Sequence, residues 1–428
     1  MSGNSSGKGR VLSGKDSVLS NIDTASTNKD TVSTSKDSVL RGNVRALSGK
    51  ESVLFVCTTL SSFVKGDIEI LQGRYRVKVL QVPPGSRFKQ FFSILREFLH
   101  LLFKIKRYRF VYIWFADYHS FLPVLFCRIL NKPSYVVAGG YDVCRIKKVG
   151  YGSFVNPVRG FMTKYSFAHC TRCLCVSAHV ERVVRAIAPT AKTTVIYNAI
   201  SRIFTSENTD NPHQEHSGKY FESIFETISE KSSITPSRHS QEKSGVLCVA
   251  SASSYQGIYI KGIDRYIEAA RQNPDLSFTL VGCGREVLEN ILEKKVLKNL
   301  LEKKENSGRQ LPGNLILYSR LEQKDLKELY LRSKVYCQLS RSESFGVAMA
   351  EAMYFNCIPV YTSAGGLKEV AGEYGFMVSG NDPDEISTAI KRAHSTTEIS
   401  DSRERIGRLF TYIQRAEKIN DEDFVIGL

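Results

Sequence analysis

Val335-Tyr336-Cys337-Gln338-Leu339, followed by Ser340-Arg341-Ser342-Glu343-Ser344-Phe345-Gly346-Val347-Ala348-Met349-Ala350-Glu351-Ala352, reads as a strand, a polar loop and the opening of a helix. The strand is short and mostly apolar, as expected of a parallel strand covered on both faces. The helix is expected to open near Ser344–Gly346. Its first backbone N–H groups lack partners within the helix and carry the positive end of its dipole, which suits a diphosphate. Gly346 lets a ligand approach the backbone closely. Glu343 stands in the loop and Glu351 about two turns along the helix, so the two carboxylates are well separated. Glu343 can face the group beyond the phosphates, and Glu351 can accept hydrogen bonds from ribose hydroxyls.

The strand belongs to an alternating series: Val246–Ala250, Phe278–Val281, Leu315–Tyr318, Val335–Leu339 and Ile358–Tyr361, with helical segments between them. A matching series precedes it: Val53–Cys57, Val77–Val82, Phe110–Trp114, Ser134–Ala138, Leu174–Val176 and Val195–Tyr197. Strands alternating with helices predict parallel sheets with helices on both faces, an α/β protein of two halves. Two such halves leave a cleft at the carboxyl ends of both sheets. Residues 205–245, rich in Ser, Glu, Lys, His and Asn, interrupt the rhythm and read as a linker with a solvated insertion. The expected organisation is a tail over 1–51, domains over 52–204 and 246–402, and a C-terminal helix within 403–428 that packs back on the pair.

The first fifty residues repeat every seven, from SGKGRVL at Ser6 to SGKESVL ending at Leu54. The apolar residues are adjacent (Val18–Leu19, Val39–Leu40) instead of split between a and d positions, which argues against a coiled coil. Ser, Gly, Asn and Thr make poor helix, so a disordered tail is expected.

The 428 residues are 42% hydrophobic and 24% charged, enough to bury two cores and unlike a disordered chain. The long, nearly uncharged stretch Phe110–Cys127 carries Asp117, His119 and Pro123 in its middle, so it is not read as a membrane span. The N-terminus has no apolar core behind a basic start, so no secretory signal is expected. Ten cysteines, several in strand-like runs, point to a reduced, cytoplasmic protein.

Charge is concentrated in the first half. Residues 51–200 hold 22 Lys and Arg against 7 Asp and Glu, a net +15 of the chain's +16. Such asymmetry points to an anionic partner: a lipid surface, nucleic acid or a phosphorylated substrate. Phe91–Phe103 is an apolar helical stretch followed by Lys104, Lys106, Arg107 and Arg109, a pattern that suits a protein lying on an anionic leaflet. Nucleic acid is the weaker partner, because no recognised binding module accompanies the charge.

Glu343 and Glu351, separated by seven residues, resemble the signature of retaining glycosyltransferases of the GT-B fold, family 4 (glycosyl transferases group 1). The resemblance runs from about Ser52 onward. Ile260-Lys261-Gly262-Ile263-Asp264 is similar to the family's Lys-Gly step, and Phe278–Gly284 to its strand ending in Gly-x-Gly beside the base. Tyr197-Asn198-Ala199-Ile200 resembles its Asn-Gly-Ile hinge with Ala for Gly. Gly365-Gly366-Leu367-Lys368-Glu369-Val370 matches its Gly-Gly-x-x-Glu-Val run. The resemblance implies two Rossmann-like domains whose parallel sheets face across a cleft, with the donor on the second and the acceptor on the first. Donor-binding residues would be Lys261, Gly282, Arg341, Glu343, Ser344, Phe345, Gly346 and Glu351.

Phe63–Ile68 and Ala138–Val143 resemble members acting on cell-surface glycans, which makes Asp67, Gly140 and Tyr141 acceptor-side candidates. Lys261, Glu343, His119 and Asp142 are the catalytic candidates. The family's Gly-Arg pair is missing: Val249–Tyr255 has no arginine, and Arg341 is the candidate replacement on the diphosphate.

These readings add up to a cytoplasmic hexosyltransferase of polysaccharide biosynthesis, associated with the membrane's cytoplasmic face. It would move a sugar with retention from a nucleotide-sugar to a saccharide or lipid-linked saccharide, without metal or cofactor. The alternatives are a GT-B nucleotide-sugar epimerase and a non-catalytic GT-B binding protein; a phosphorylase lacks its cofactor lysine segment. Asp382-Pro383-Asp384 reads as a helix start and not a metal motif, and Cys173 and Cys175 read as core residues of a strand. Asp421-Glu422-Asp423 matches a metal motif only formally.

Overall fold

The apolar runs become twelve strands in a computed structural model that describes residues 50–83, 85, 87–205, 243–291, 310–397 and 401–421. The repeat over 1–49, residues 206–242 of the expected linker and the last seven residues lie outside the described set.

The first sheet holds β1 (Ser52–Cys57), β2 (Arg76–Gln81), β3 (Val111–Trp114), β4 (Ser134–Ala138), β5 (Arg172–Cys175) and β6 (Thr193–Val195), in the order β2-β1-β3-β4-β5-β6. The second holds β7 (Val246–Val249), β8 (Phe278–Val281), β9 (Leu315–Tyr318), β10 (Val335–Gln338), β11 (Ile358–Thr362) and β12 (Phe376–Val378), in the order β12-β11-β10-β7-β8-β9. Every ladder between these strands is parallel. Strands β3, β4 and β10 are buried along their whole length, which explains their uninterrupted apolar or uncharged character. β12, only three residues long, escapes a reading based on periodicity.

The helices of the first half are α1 (Ser62–Arg74), α2 (Arg87–Lys104), α3 (Tyr118–Ile129), α4 (Pro157–His169) and α5 (Ala178–Ile187). Their starts are chemically marked. Asp117 and Ser120 form a capping box on α3, Asn156 caps α4 with Pro157 in its first turn, and Ser177 caps α5. After the hinge and the short α6 (Arg202–Thr205) come α7 (Tyr255–Lys261), α8 (Ile263–Gln272), α9 (Gln323–Arg332), α10 (Val347–Tyr354), α11 (Leu367–Ala371) and α12 (Pro383–Ser395). Asp382 caps α12, so its side chain serves a helix start.

The single C-terminal helix expected within 403–428 is instead two, α13 (Ser402–Leu409) and α14 (Tyr412–Asn420), separated by Phe410-Thr411. α13 packs on α10 and α14 on α1, so the chain ends by returning to the first half. One apolar core runs from the first sheet through Tyr330, Phe345 and Met349 to Phe410, and a second fills the other face of the second sheet around Tyr266 and Phe278. Among the described residues no helix is long and apolar enough to cross a membrane.

Candidate active site

The loops at the carboxyl ends of the two sheets meet. β10 runs into Ser340–Gly346, and α10 opens at Val347 with Gly346 as its N-cap in a left-handed conformation, φ +94°. Glu343, in this loop, accepts from Lys261 Nζ at 2.8 Å, from Gln338 Nε2 at 3.3 Å and from Ser340 Oγ at 3.4 Å, all on Oε2. Lys261 ends α7, and its side chain is one-third exposed. A cation and a carboxylate thus stand together beside the unpaired N–H groups of a helix start.

The Gly365-Gly366 pair has a steric cause. Gly365 has φ +60°, and a Cβ on it would overlap the carbonyl of Glu343; one on Gly366 would overlap that of Ser344. The two glycines therefore let the segment after β11 lie directly on the loop that carries Glu343.

The first half closes on the same loop. Gly140 approaches Ser344 so closely that an added Cβ would lie 2.5 Å from the serine Cβ. Ser177 Oγ donates to the Ser344 carbonyl at 2.7 Å, and Cys144 Sγ lies 3.3 Å from Ser342 Oγ. Glu369 accepts from the N–H groups of Ala178 and His179 at 2.7 and 2.6 Å, capping α5 from across the cleft. Gln256 Nε2 donates to the Val149 carbonyl at 2.7 Å. Tyr141 packs edge-on against Tyr151 and lies under the Arg159 guanidinium. Of these, Ser177, Glu369, Gln338 and Cys144 were not among the sequence candidates. Glu369 lies in the quoted Gly-Gly run, but its partners are almost two hundred residues away.

Several candidates have other occupations. Asp67 is buried, accepting from Arg415 Nε and Nη2, Tyr112 Oη and Trp114 Nε1, so it is not free for an acceptor. Asp142 is buried and accepts from the N–H groups of Ala116, Gly139 and Gly140; burial pushes its carboxyl up to about 6. It holds the turn that brings Gly140 to the cleft, and it does not face the cleft itself.

His119 is buried, with Nε2 donating to the Trp114 carbonyl at 2.9 Å and Nδ1 unpartnered. Burial lowers its pKa, and no open face remains for substrate. Arg341, the candidate replacement for the missing diphosphate arginine, pairs through two 2.7 Å bonds with Asp264 and stacks on Tyr259, 4.1 Å from the ring centroid. The Phe345 side chain is buried between Tyr197 and Phe410, which leaves only its backbone for a ligand.

Gly282 ends β8, where its φ of +102° lets it pass against the Ala250 backbone. Glu351 accepts from Ser201 N at 3.3 Å and Tyr330 Oη at 3.1 Å, and burial pushes it up to about 7. It lines a cavity of about 480 Å³ with Lys65, Ser201, Arg202, Gln323 and Tyr412; neither Lys261 nor Glu343 does.

Residues 238–409 match the family model described as glycosyl transferases group 1. The described halves align with sucrose-phosphate synthase from Thermosynechococcus elongatus over 86% of this chain and 97% of that one, at 14% identity and a TM-score of 0.62. They align with a glycosyltransferase from Rickettsia africae over 88% and 99%, at 16% identity and 0.59. The Anabaena protein HepE, solved in complex with UDP and glucose, aligns over 86% and 98%, at 14% identity and 0.58. The architecture is therefore GT-B. No curated protein matches the chain in sequence.

Proposed function

We propose that the protein transfers a hexose from a nucleotide-sugar to a saccharide acceptor carried on a lipid at a membrane surface, with retention of anomeric configuration. The observation that carries this reading is the Lys261–Glu343 pair beside the start of α10. Lys261 and the backbone N–H groups at the helix start meet the donor diphosphate and stabilise the charge that develops on it as the sugar departs, the largest electrostatic contribution to such a transfer. Glu343, held by Lys261, Gln338 and Ser340, faces the sugar, and Glu351, further along α10, accepts from the ribose hydroxyls, as the group 1 resemblance implies. HepE, bound to UDP, supports a nucleoside diphosphate on this fold. Gly140 and Tyr141 border the acceptor side, where the first half reaches the loop of Glu343. The reaction needs no metal in this reading, because Lys261 and the helix start supply the positive potential. Retention is the outcome that the group 1 resemblance implies.

A second reading, a GT-B protein that binds a nucleotide-sugar without transferring it, is favoured by one observation: Arg341 is engaged with Asp264 and the diphosphate lacks its usual arginine. A thermal-shift screen against UDP-, GDP- and ADP-sugars tests the shared element. The true donor raises the melting temperature, and its breakdown in the presence of acceptor separates transferase from binder. No shift with any of them would overturn the donor site.

A further inference from the structure

We infer that the layer formed by α2, α3 and α4 docks on an anionic lipid surface, with α2 lying in the interface. The inference extends the proposed lipid-linked acceptor to the surface that would meet it, and it stands on the exposure and charge of that layer.

Helix α2 has two apolar stripes. The inner one runs through Ile94, Glu97 and Leu101 and ends against the buried Ile105 of the turn that follows. The outer one runs through Phe92, Leu95, Leu99 and Leu102, spaced by three and four residues, and continues to Phe103. Phe92 is 52% exposed, Leu102 50% and Phe103 72%. The inner stripe thus spends a position on an acid while the outer one presents leucine and phenylalanine to solvent, the reverse of a helix that merely covers a sheet. Neighbouring helices extend the patch: Ile129 ends α3, and Val158 and Phe161 (64% exposed) lie in the first turns of α4. The packing of α3 against both α2 and α4 makes this one layer.

Charge selects the partner. The three helices contain one acidic residue, Glu97, and it is buried. Around the patch stand exposed Lys104, Lys106, Arg107, Arg128 and Lys164, none in an ion pair with a described carboxylate. Arg109, also in the basic cluster, is different: it pairs with Glu51 beside β1 and is not available. Apolar side chains flanked by cations, with no exposed acid, fit an anionic leaflet. A second copy of this chain docking through the same layer would place those cations against one another, whereas an anionic leaflet meets them with charge of the opposite sign.

Flotation of the full chain decides it, using vesicles of phosphatidylcholine alone and of phosphatidylcholine with phosphatidylglycerol. Binding is expected only with the anionic lipid, falling as salt rises. The triple variant Lys104→Ser, Lys106→Ser, Arg107→Ser and the double variant Leu99→Ser, Phe103→Ser should each reduce recovery about tenfold or more, while Arg109→Ser should not. All these side chains are exposed or at the surface, and unchanged nucleotide-sugar thermal shifts will show that the variants are folded and that the donor site is separate. Equal recovery on both vesicle types, or none on either, would overturn the inference. So would a concentration-dependent dimer in sedimentation that the Leu99→Ser, Phe103→Ser variant abolishes. Transfer to a soluble acceptor, measured apart, bears on the function and not on the docking.

Discussion

Asp67 and Arg415 lie 348 residues apart in sequence and form a buried ion pair, Nε to Oδ1 at 2.6 Å and Nη2 to Oδ2 at 2.7 Å. Arg415 Nη1 also donates to the carbonyls of Ile196 and Tyr197, so one guanidinium joins α14, α1 and the chain leading into the hinge. Tyr112 and Trp114 complete the carboxylate's partners. Every lone pair and N–H of consequence is engaged, which is the condition under which a buried pair survives its desolvation cost.

Removing either partner strands a charge. Arg415→Ala and Asp67→Ala should each lose about 3–5 kcal/mol of stability in denaturant unfolding. The double variant should lose less than the sum. If Asp67→Ala instead leaves stability unchanged and raises only the acceptor KM, Asp67 belongs to the acceptor site after all.

Glu97 is buried with neither carboxylate oxygen partnered, and burial pushes it up to about 9. The folded state therefore binds a proton more tightly than the unfolded state does. Its contribution is fully present below the unfolded pKa near 4.5 and is lost as pH rises toward 9. Glu97→Gln, which needs no proton, should raise stability by on the order of 3 kcal/mol at pH 7 and have little effect at pH 4. Melting curves at the two pH values check this; an equal shift at both would contradict it.

Burial pushes Glu351 up to about 7, so in its proposed role its carboxylate becomes a better acceptor for ribose hydroxyls as pH rises. Donor affinity should increase between pH 6 and 8 in the wild type and stay flat in Glu351→Gln. Glu351→Ala should weaken donor binding by about 1–3 kcal/mol. Calorimetric titration at several pH values reads both effects. Affinity independent of pH in the wild type would remove Glu351 from the donor site.

The strands and the loop of Glu343 were legible because their causes are local. Buried parallel strands write themselves as apolar runs, and helix starts as Asp117, Asn156, Ser177 and Asp382. The partners of several candidate site residues lie too far along the chain to be read from it. Asp67 looks like a cleft acid until Arg415 arrives from the last helix, and Arg341 looks like a phosphate ligand until Asp264 and Tyr259 claim it. His119 and Asp142 sit at strand ends, as active-site residues do, but turn inward to backbone groups that only the fold supplies. Glu369 was quoted as part of a motif, yet its role as a cap for α5 depends on how the two halves meet.

The repeat over residues 1–50 has too few apolar side chains to offset the entropy of ordering it. Deleting it should shift the melting temperature by no more than about 2 °C and leave turnover intact. A larger loss would mean that the repeat packs on the enzyme.

The Lys261–Glu343 pair carries the account, and turnover with the donor found by thermal shift tests it most directly. Lys261→Ala should lower kcat by about 10²–10³-fold, the effect of deleting one preorganised stabiliser of developing charge, and Glu343→Gln should also lower it. Arg341→Ala, whose guanidinium is tied to Asp264, should stay within a few-fold of wild type. Wild-type kcat in Lys261→Ala, or a collapse of kcat confined to Arg341→Ala, would contradict the assignment.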